Sequence, residues 1–514
     1  MRHRPLLVIL LAVLACVPAW AAEDAPKEGG KGKPAAAEKE KPKEPQDKLV
    51  ETHGVVRVGG IDIRYTTTAG NLVMRDEDGK AKANIYFTAY VKDGEDPGRR
   101  PITFAFNGGP GSSSVWLHLG AFGPRRVKLG DDGTAPPPPY QLENNDHSLL
   151  DLTDLVFIDP VTTGYSRAVP TEKDQPFHGV RQDVESVGDF IRLYATRFGR
   201  WASPKFLAGE SYGTTRAAGL AGYLQRRQGM YLSGIVLISS VLDFATSDFN
   251  PGNDLPYQLF LPTYTAAAWY HKRLPADLEA DLQKALRESE AFARGEYATA
   301  LEQGDRLPEA ERGRVLDELA RLTGLDRDEL ALHRLRILDE WFFAELLHKQ
   351  GLRIGRLDAR FQAPSVPDGE GGTIESDPSY DNIQGVFTAM ANDYLRRTLR
   401  YESDLPYEIL TGRVWPWSFK GYENRYVNVA VTLAGAMHQN PALKVFVANG
   451  YYDFATPYFA TAYTFDHMGL TPAERANVHM SYYQAGHMMY IDRPSLDRLK
   501  QDLTDFYRAA VPAK

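Results

Sequence analysis

Cysteine is almost missing from this chain: among 514 residues only Cys16 is present. It lies within an apolar N-terminal run, so a chain cut after Ala21 has no cysteine and no disulfide framework. Export without disulfides fits a bacterial periplasm better than a eukaryotic secretory route. Long hydrophobic runs are missing too. The stretch from Leu6 to Val17 is too short to span a bilayer comfortably, and no later segment is long and apolar enough. There is no basic stripe, and the net charge is −8, which leaves nucleic-acid binding with little support. What remains is ordinary for a soluble globular protein, with 43% hydrophobic and 25% charged residues. The length would allow several domains, but strand–helix alternation at both ends of the ordered region reads as one core carrying a large insertion. No internal repeat is visible.

At the N-terminus, Arg2, His3 and Arg4 precede the apolar run, and the small residues Ala19, Ala21 and Ala22 follow it. This is the layout of a secretory signal peptide over 1–22. Val13-Leu14-Ala15-Cys16 offers a second reading, a lipoprotein cleavage site with a lipid anchor on Cys16, although Leu14 fits that pattern poorly. Either reading places the protein outside the cytoplasm, periplasmic, secreted or membrane-anchored. Residues 23–48 are rich in Lys, Glu, Pro, Gly and Ala without an aromatic, which predicts a disordered linker reaching to 51. Order is expected from Thr52.

From Val55 to Val91 the pattern is strand-like, with a hairpin turn at Asp76-Glu77-Asp78-Gly79. Short apolar strands are expected at Ile102–Phe106, Leu155–Ile158, Lys205–Ala208 and Gly234–Ser239, with helices at Gln182–Phe198 and Thr214–Arg226. Such alternation implies a parallel sheet. It stops after 244. Residues 275–350 are helical and charged, with heptad-like spacing at Leu278, Leu282 and Leu286, and a second helical block runs from Ile383 to Arg397. Residues 245–430 therefore read as a mainly helical inserted cap. The sheet resumes at Val445–Asn449 and His479–Tyr483, before a last helix at Ser495–Ala510. The core is thus expected at 52–244 and 431–514.

Gly209-Glu210-Ser211-Tyr212-Gly213 matches G-x-S-x-G, the strand-to-helix elbow that exposes a serine oxygen. With 44 glycines a chance match is a real alternative, but a strand precedes this one and a helix follows. A serine nucleophile needs a base, and the base needs an orienting acid, in the order Ser, Asp or Glu, His. Asp453 and His487 each follow a strand end, where such sheets place their sites. Asp466 and His467 compete but look helical, and His479 opens its strand instead of closing it. Asn107-Gly108-Gly109-Pro110-Gly111-Ser112-Ser113-Ser114 follows the first strand of the alternating region. Its glycines suit an oxyanion hole completed by the Tyr212 N–H. As a phosphate cradle the loop lacks the Lys-Ser/Thr ending of a P-loop.

Together these stretches resemble the serine carboxypeptidase family of α/β-hydrolases, whose motifs are Asn-Gly-Gly-Pro-Gly-Cys-Ser-Ser, Gly-Glu-Ser-Tyr-Ala/Gly-Gly, Gly-Asp-x-Asp and Gly-His-Met. Here they read Asn107–Ser114, Gly209–Gly213, Gly450–Asp453 and Gly486–Met488; Ile158-Asp159-Pro160 through Gly164-Tyr165-Ser166 is also similar to a family segment. The resemblance spans about 80–510, except the cap. It implies an α/β-hydrolase fold with a mostly parallel sheet. It also implies Ser211 as nucleophile, His487 as base, Asp453 as its partner, and oxyanion N–H groups from Gly109 and Tyr212. Asn107, Gly108 and Glu210 would hold the C-terminal carboxylate of a peptide substrate, and Met488 would line the pocket. No metal and no cofactor are implied. Glu210 can face a carboxylate only by sharing a proton, so binding should favour acid pH; alternatively Glu210 is simply an elbow residue.

Several positions depart from the family. Its motif cysteine is Ser112, its tryptophan before the Asn is Ala105, its Glu before Gly-Pro is Ala121, and the first Asp of Gly-Asp-x-Asp is Tyr451. The three triad positions are kept, and carboxylate recognition is what these changes weaken. The expectations are a carboxypeptidase acting on exported peptides with a free C-terminus, an esterase or acyltransferase using the same triad, or a binding module without catalysis.

Overall fold

A computed structural model describes residues 44–366 and 376–511. The expected leader at 1–22, Cys16 and the linker up to 43 lie outside the described residues. Ten strands form one sheet: β1 Lys48–Val58, β2 Ile61–Arg75, β3 Ala81–Lys92, β4 Ile102–Phe106, β5 Asp154–Ile158, β6 Arg167–Ala168, β7 Lys205–Ser211, β8 Gly234–Ser240, β9 Lys444–Gly450 and β10 Val478–Tyr483. Their order is β1-β2-β3-β5-β4-β7-β8-β9-β10, with β6 paired to β3. The first three strands are antiparallel, β3 meets β5 antiparallel, and from β5 to β10 every pairing is parallel. This is the mostly parallel sheet expected.

The inner parallel strands are buried and mostly apolar because helices cover both faces. In β8, Val236 and Ile238 enter one core layer while Ile235 and Leu237 enter the other, the two-residue alternation of a strand. Helices α1 Val180–Arg197 and α2 Tyr212–Gln228 lie on one face, and α7 Arg493–Ala510 lies on the other. At the N-terminal edge β1 starts at Lys48, inside the expected linker. Its backbone pairs with β2 from Lys48↔Asn71 onward. Ladder hydrogen bonds need no apolar side chain, so charged residues on an edge strand gave the sequence a disordered look.

The region 245–430 packs as two parts with different partners. In the first, α3 Leu255–Tyr270, α4 Leu282–Phe292 and α5 Glu309–Thr323 share a core with Tyr452, Phe454, Tyr458 and Phe459 beyond β9. The leucine spacing at 278, 282 and 286 is broken, since Asp281 caps the start of α4 by accepting the Gln283 N–H at 2.9 Å; all three leucines are nonetheless buried. In the second part, α6 Pro378–Asp393 joins the main core, with Phe387 against Trp116 at 5.0 Å between ring centroids. Among the described residues no helix is long and apolar enough to cross a membrane.

Candidate active site

β7 ends at Ser211 and α2 begins at Tyr212, so the chain turns within one residue. Ser211 sits at φ 59°, ψ −131°, a conformation that costs a non-glycine residue about 1–3 kcal/mol and persists only when its surroundings enforce it. Glycines supply the enforcement by close approach. A Cβ on Gly209 would lie 2.1 Å from the Gly213 oxygen, and one on Gly108 would lie 2.4 Å from the Tyr212 nitrogen. The loop after β4 is thereby pressed against the start of α2. Tyr212 is the first residue of α2, so its N–H has no acceptor inside the helix and is free to face a ligand.

Arg216, one turn into α2, locks this junction. It is buried, donates through Nε to Asp183 at 2.7 Å and through Nη1 to the Asn107 carbonyl at 2.6 Å. Asn107 Oδ1 accepts the Leu117 N–H at 3.1 Å, which leaves the buried Nδ2 without a close, well-aligned acceptor among the described residues, although the Asn107 side chain is near enough to Glu210 to pull its carboxyl down. Asp159 braces the same loop by accepting the Ser114 N–H at 2.9 Å.

Across the cavity, His487 Nδ1 lies 2.8 Å from Asp453 Oδ2. A carboxylate only accepts, so Nδ1 carries the proton and Nε2 is left for the cavity. Asp453 is fully buried and held by the Ala455 N–H (2.8 Å), the Thr456 N–H (3.1 Å) and the Thr456 hydroxyl (2.7 Å). Burial alone would lower the His487 pKa, but the charge and hydrogen bond of Asp453, with the charge of Glu210, outweigh it and hold it above the usual imidazole value.

The loops carrying Asp453 and His487 are tied to each other and to the insertion. Tyr452 N–H donates to the Ala485 carbonyl at 3.1 Å. Residues 355–360 run alongside both. The Leu357 carbonyl accepts the His487 N–H at 2.6 Å, the Arg356 carbonyl accepts the Phe454 N–H at 3.1 Å, and Asp358 Oδ2 accepts the Gly486 N–H at 3.0 Å. A Cβ on Gly486 would lie 2.4 Å from the Asp358 Cβ, so the strap leaves room only for glycine there.

Ser211, His487, Asn107, Gly108, Gly109, Glu210, Tyr212 and Met488 all line one cavity of about 570 Å³, with Asp453 directly behind His487. Asp466, His467 and His479 are outside its lining. The insertion supplies much of the remaining wall, including Arg356, Tyr380, Trp415 and Phe419. Glu210 is buried and accepts the Tyr490 hydroxyl at 2.5 Å. Burial pushes its carboxyl up to about 7, against the pull of His487 and of the Tyr490 hydrogen bond.

Four residues that hold the site escape sequence reading. Tyr490 is brought back by the short turn Met489–Ile491, and its ring packs where a Cβ on Gly120 would be 2.7 Å away; nothing local marks it as the partner of Glu210. Arg216 and Asp358 act over long sequence separations. Thr456, three residues after Asp453, fits the local Asx-type pattern and was within reach. Of the departures, Tyr451 faces the helical insertion, edge-on to Tyr458 at 5.1 Å and accepting from Gln283 at 3.3 Å.

The chain is similar to the carboxypeptidase Y homolog of Arthroderma benhamiae, 30% identical over 175 residues, covering 33% of this chain and 32% of that protein. It is also similar to the pheromone-processing carboxypeptidase KEX1 of Yarrowia lipolytica, 27% identical over 209 residues, covering 40% and 31%. The aligned stretches thus span about a third of these relatives' length. The crystal structure of KEX1(delta)p, a prohormone-processing carboxypeptidase from Saccharomyces cerevisiae, superposes with a TM-score of 0.51 over 86% of this chain and 91% of that one at 17% identity, a likeness of fold. The model of the family described as serine carboxypeptidase matches residues 64–341, more than half of the sequence and inclusive of Asn107 and Ser211, and the chain belongs to that family.

Proposed function

We propose that the protein is a serine-type carboxypeptidase that removes the C-terminal residue of peptides through an acyl-enzyme on Ser211. His487 takes the Ser211 proton and returns it to the leaving amine, and Asp453 fixes its tautomer. The N–H groups of Gly109 and Tyr212 receive the developing oxyanion. Asn107, the Gly108 backbone and Glu210 hold the substrate's terminal carboxylate, Met488 lines the pocket beside it, and the 245–430 insertion roofs the cavity. The observation that carries this reading is Glu210, a buried carboxyl raised to about 7 next to the Asn107 side chain, in the same cavity as Ser211 and His487. A protonated carboxyl and an amide N–H are the donors a carboxylate needs, so binding is favoured on the acid side. The names of the relatives support the same activity.

An esterase or acyltransferase is the second reading. It is favoured by the partner of Glu210, which is the Tyr490 phenol where the family resemblance leads one to expect a second carboxyl. The test is to label Ser211 with a fluorophosphonate and to assay N-blocked dipeptides between pH 4 and 8 alongside small esters. Release of the C-terminal residue supports the first reading. Ester turnover with no release from any dipeptide overturns it in favour of the second. The leader-like segment 1–22 supports export to the periplasm or medium, or anchoring through Cys16; the mass of the mature N-terminus distinguishes them.

A further inference from the structure

Arg356 lines the cavity and is an exposed residue. It is the one Lys or Arg among the residues lining that cavity. Its backbone is fixed from both sides, the N–H donating to Asp377 Oδ1 at 3.1 Å and the carbonyl accepting from Phe454 beside Asp453. Asp377 is occupied elsewhere, capping α6 through the Ser379 N–H at 3.0 Å. Among the described residues no carboxylate pairs with the Arg356 guanidinium within 4.0 Å. Its charge nevertheless reaches the catalytic region, since it opposes protonation of His487. A fixed strap thus holds at the cavity wall a cation with no carboxylate within 4.0 Å, whose charge is felt by Asp339 on one side and His487 on the other.

We propose that Arg356 is a specificity-determining residue that binds a carboxylate of the substrate, resting on the reading of Ser211 as the reacting group of this cavity. The planar guanidinium matches a carboxylate with two parallel N–H donors. That carboxylate comes either from the peptide's free C-terminus or from an acidic side chain next to the scissile bond.

The test reads occupancy rather than turnover, using the rate at which a fluorophosphonate labels Ser211 in the full chain. Four protectors are compared: benzoyl-glycine, its amide, benzoyl-glutamic acid α-amide and benzoyl-glutamine α-amide. Each variant's unprotected labelling rate is its own reference. Arg356→Gln is expected to weaken protection by a carboxylate probe roughly tenfold relative to its neutral twin, the size of one charge-assisted hydrogen bond, and Arg356→Lys to restore part of it. Loss confined to benzoyl-glycine assigns the C-terminal carboxylate; loss confined to the glutamic α-amide assigns the side chain. Equal loss for charged and neutral probes, no loss at all, or a wild type that the carboxylates protect no better than the amides overturns the proposal. If dipeptides are never cleaved while the protection pattern holds, the carboxypeptidase reading fails and the assignment of Arg356 stands.

Discussion

The two halves of the cavity are held in different ways. Around Ser211 the turn itself is set by a five-residue elbow, with glycines at 209 and 213 and with Gly108 of the loop after β4 pressed against it, and Arg216 is the long-range tie that locks it. Around His487 the constraints are remote. Asp453, His487 and the 355–360 strap are brought together from separate stretches, and the strap lies inside the insertion. An insertion that supplies hydrogen-bond acceptors to the His487 loop helps to hold the proposed base as well as walling the cavity. Changes in the elbow half should act on the nucleophile and oxyanion hole, and changes in the strap should act on the base.

The largest effect expected is from Asp453→Asn, which leaves His487 with the wrong tautomer; kcat should fall about 10⁴-fold with little change in fold, read by steady-state kinetics and circular dichroism. Arg216→Ala probes the elbow half. It strands Asp183, whose carboxyl burial already pushes up, and unpairs the Asn107 carbonyl. Breaking such a buried pair costs about 3–5 kcal/mol, measurable as a lower denaturation midpoint. Gly486→Ala probes the strap. With its Cβ forced onto Asp358, a shift of the base loop should lower kcat about 10²-fold, while the unfolding midpoint should fall less than in Arg216→Ala.

A smaller, pH-dependent effect separates the two ends of the cavity. Below about 7 Glu210 keeps its proton and can donate to a carboxylate; as pH rises through that value the proton is lost, and kcat/KM for free-acid peptides should fall. His487 must be neutral to act as base, and its pKa is raised above the ordinary imidazole value, so activity should climb as pH rises through that raised pKa. Peptides should therefore show a narrow bell and neutral esters only the rising limb. Glu210→Gln should remove the falling limb for free-acid peptides, while the rising limb set by His487 persists.

This division also explains how much was legible in the sequence. The parallel strands and the Ser211 elbow were readable because apolar runs and glycine spacings are local signals. Asp453 and His487 were reachable as residues just past strand ends. Tyr490, Arg216 and Asp358 were not, since their partners lie 280, 109 and 128 residues away for Tyr490–Glu210, Arg216–Asn107 and Asp358–Gly486. The two-part packing of 245–430 was hidden for the same reason: helical spacing shows that a face is apolar without showing what covers it.

The most direct measurement is mass-spectrometric product analysis of one peptide offered as its free acid and as its C-terminal amide, with Ser211→Ala as control. The site described here predicts stepwise loss of C-terminal residues from the acid, little from the amide, and none with Ser211→Ala. Equal cleavage of both forms, or no cleavage of the acid by protein whose Ser211 still reacts with a fluorophosphonate, would contradict it.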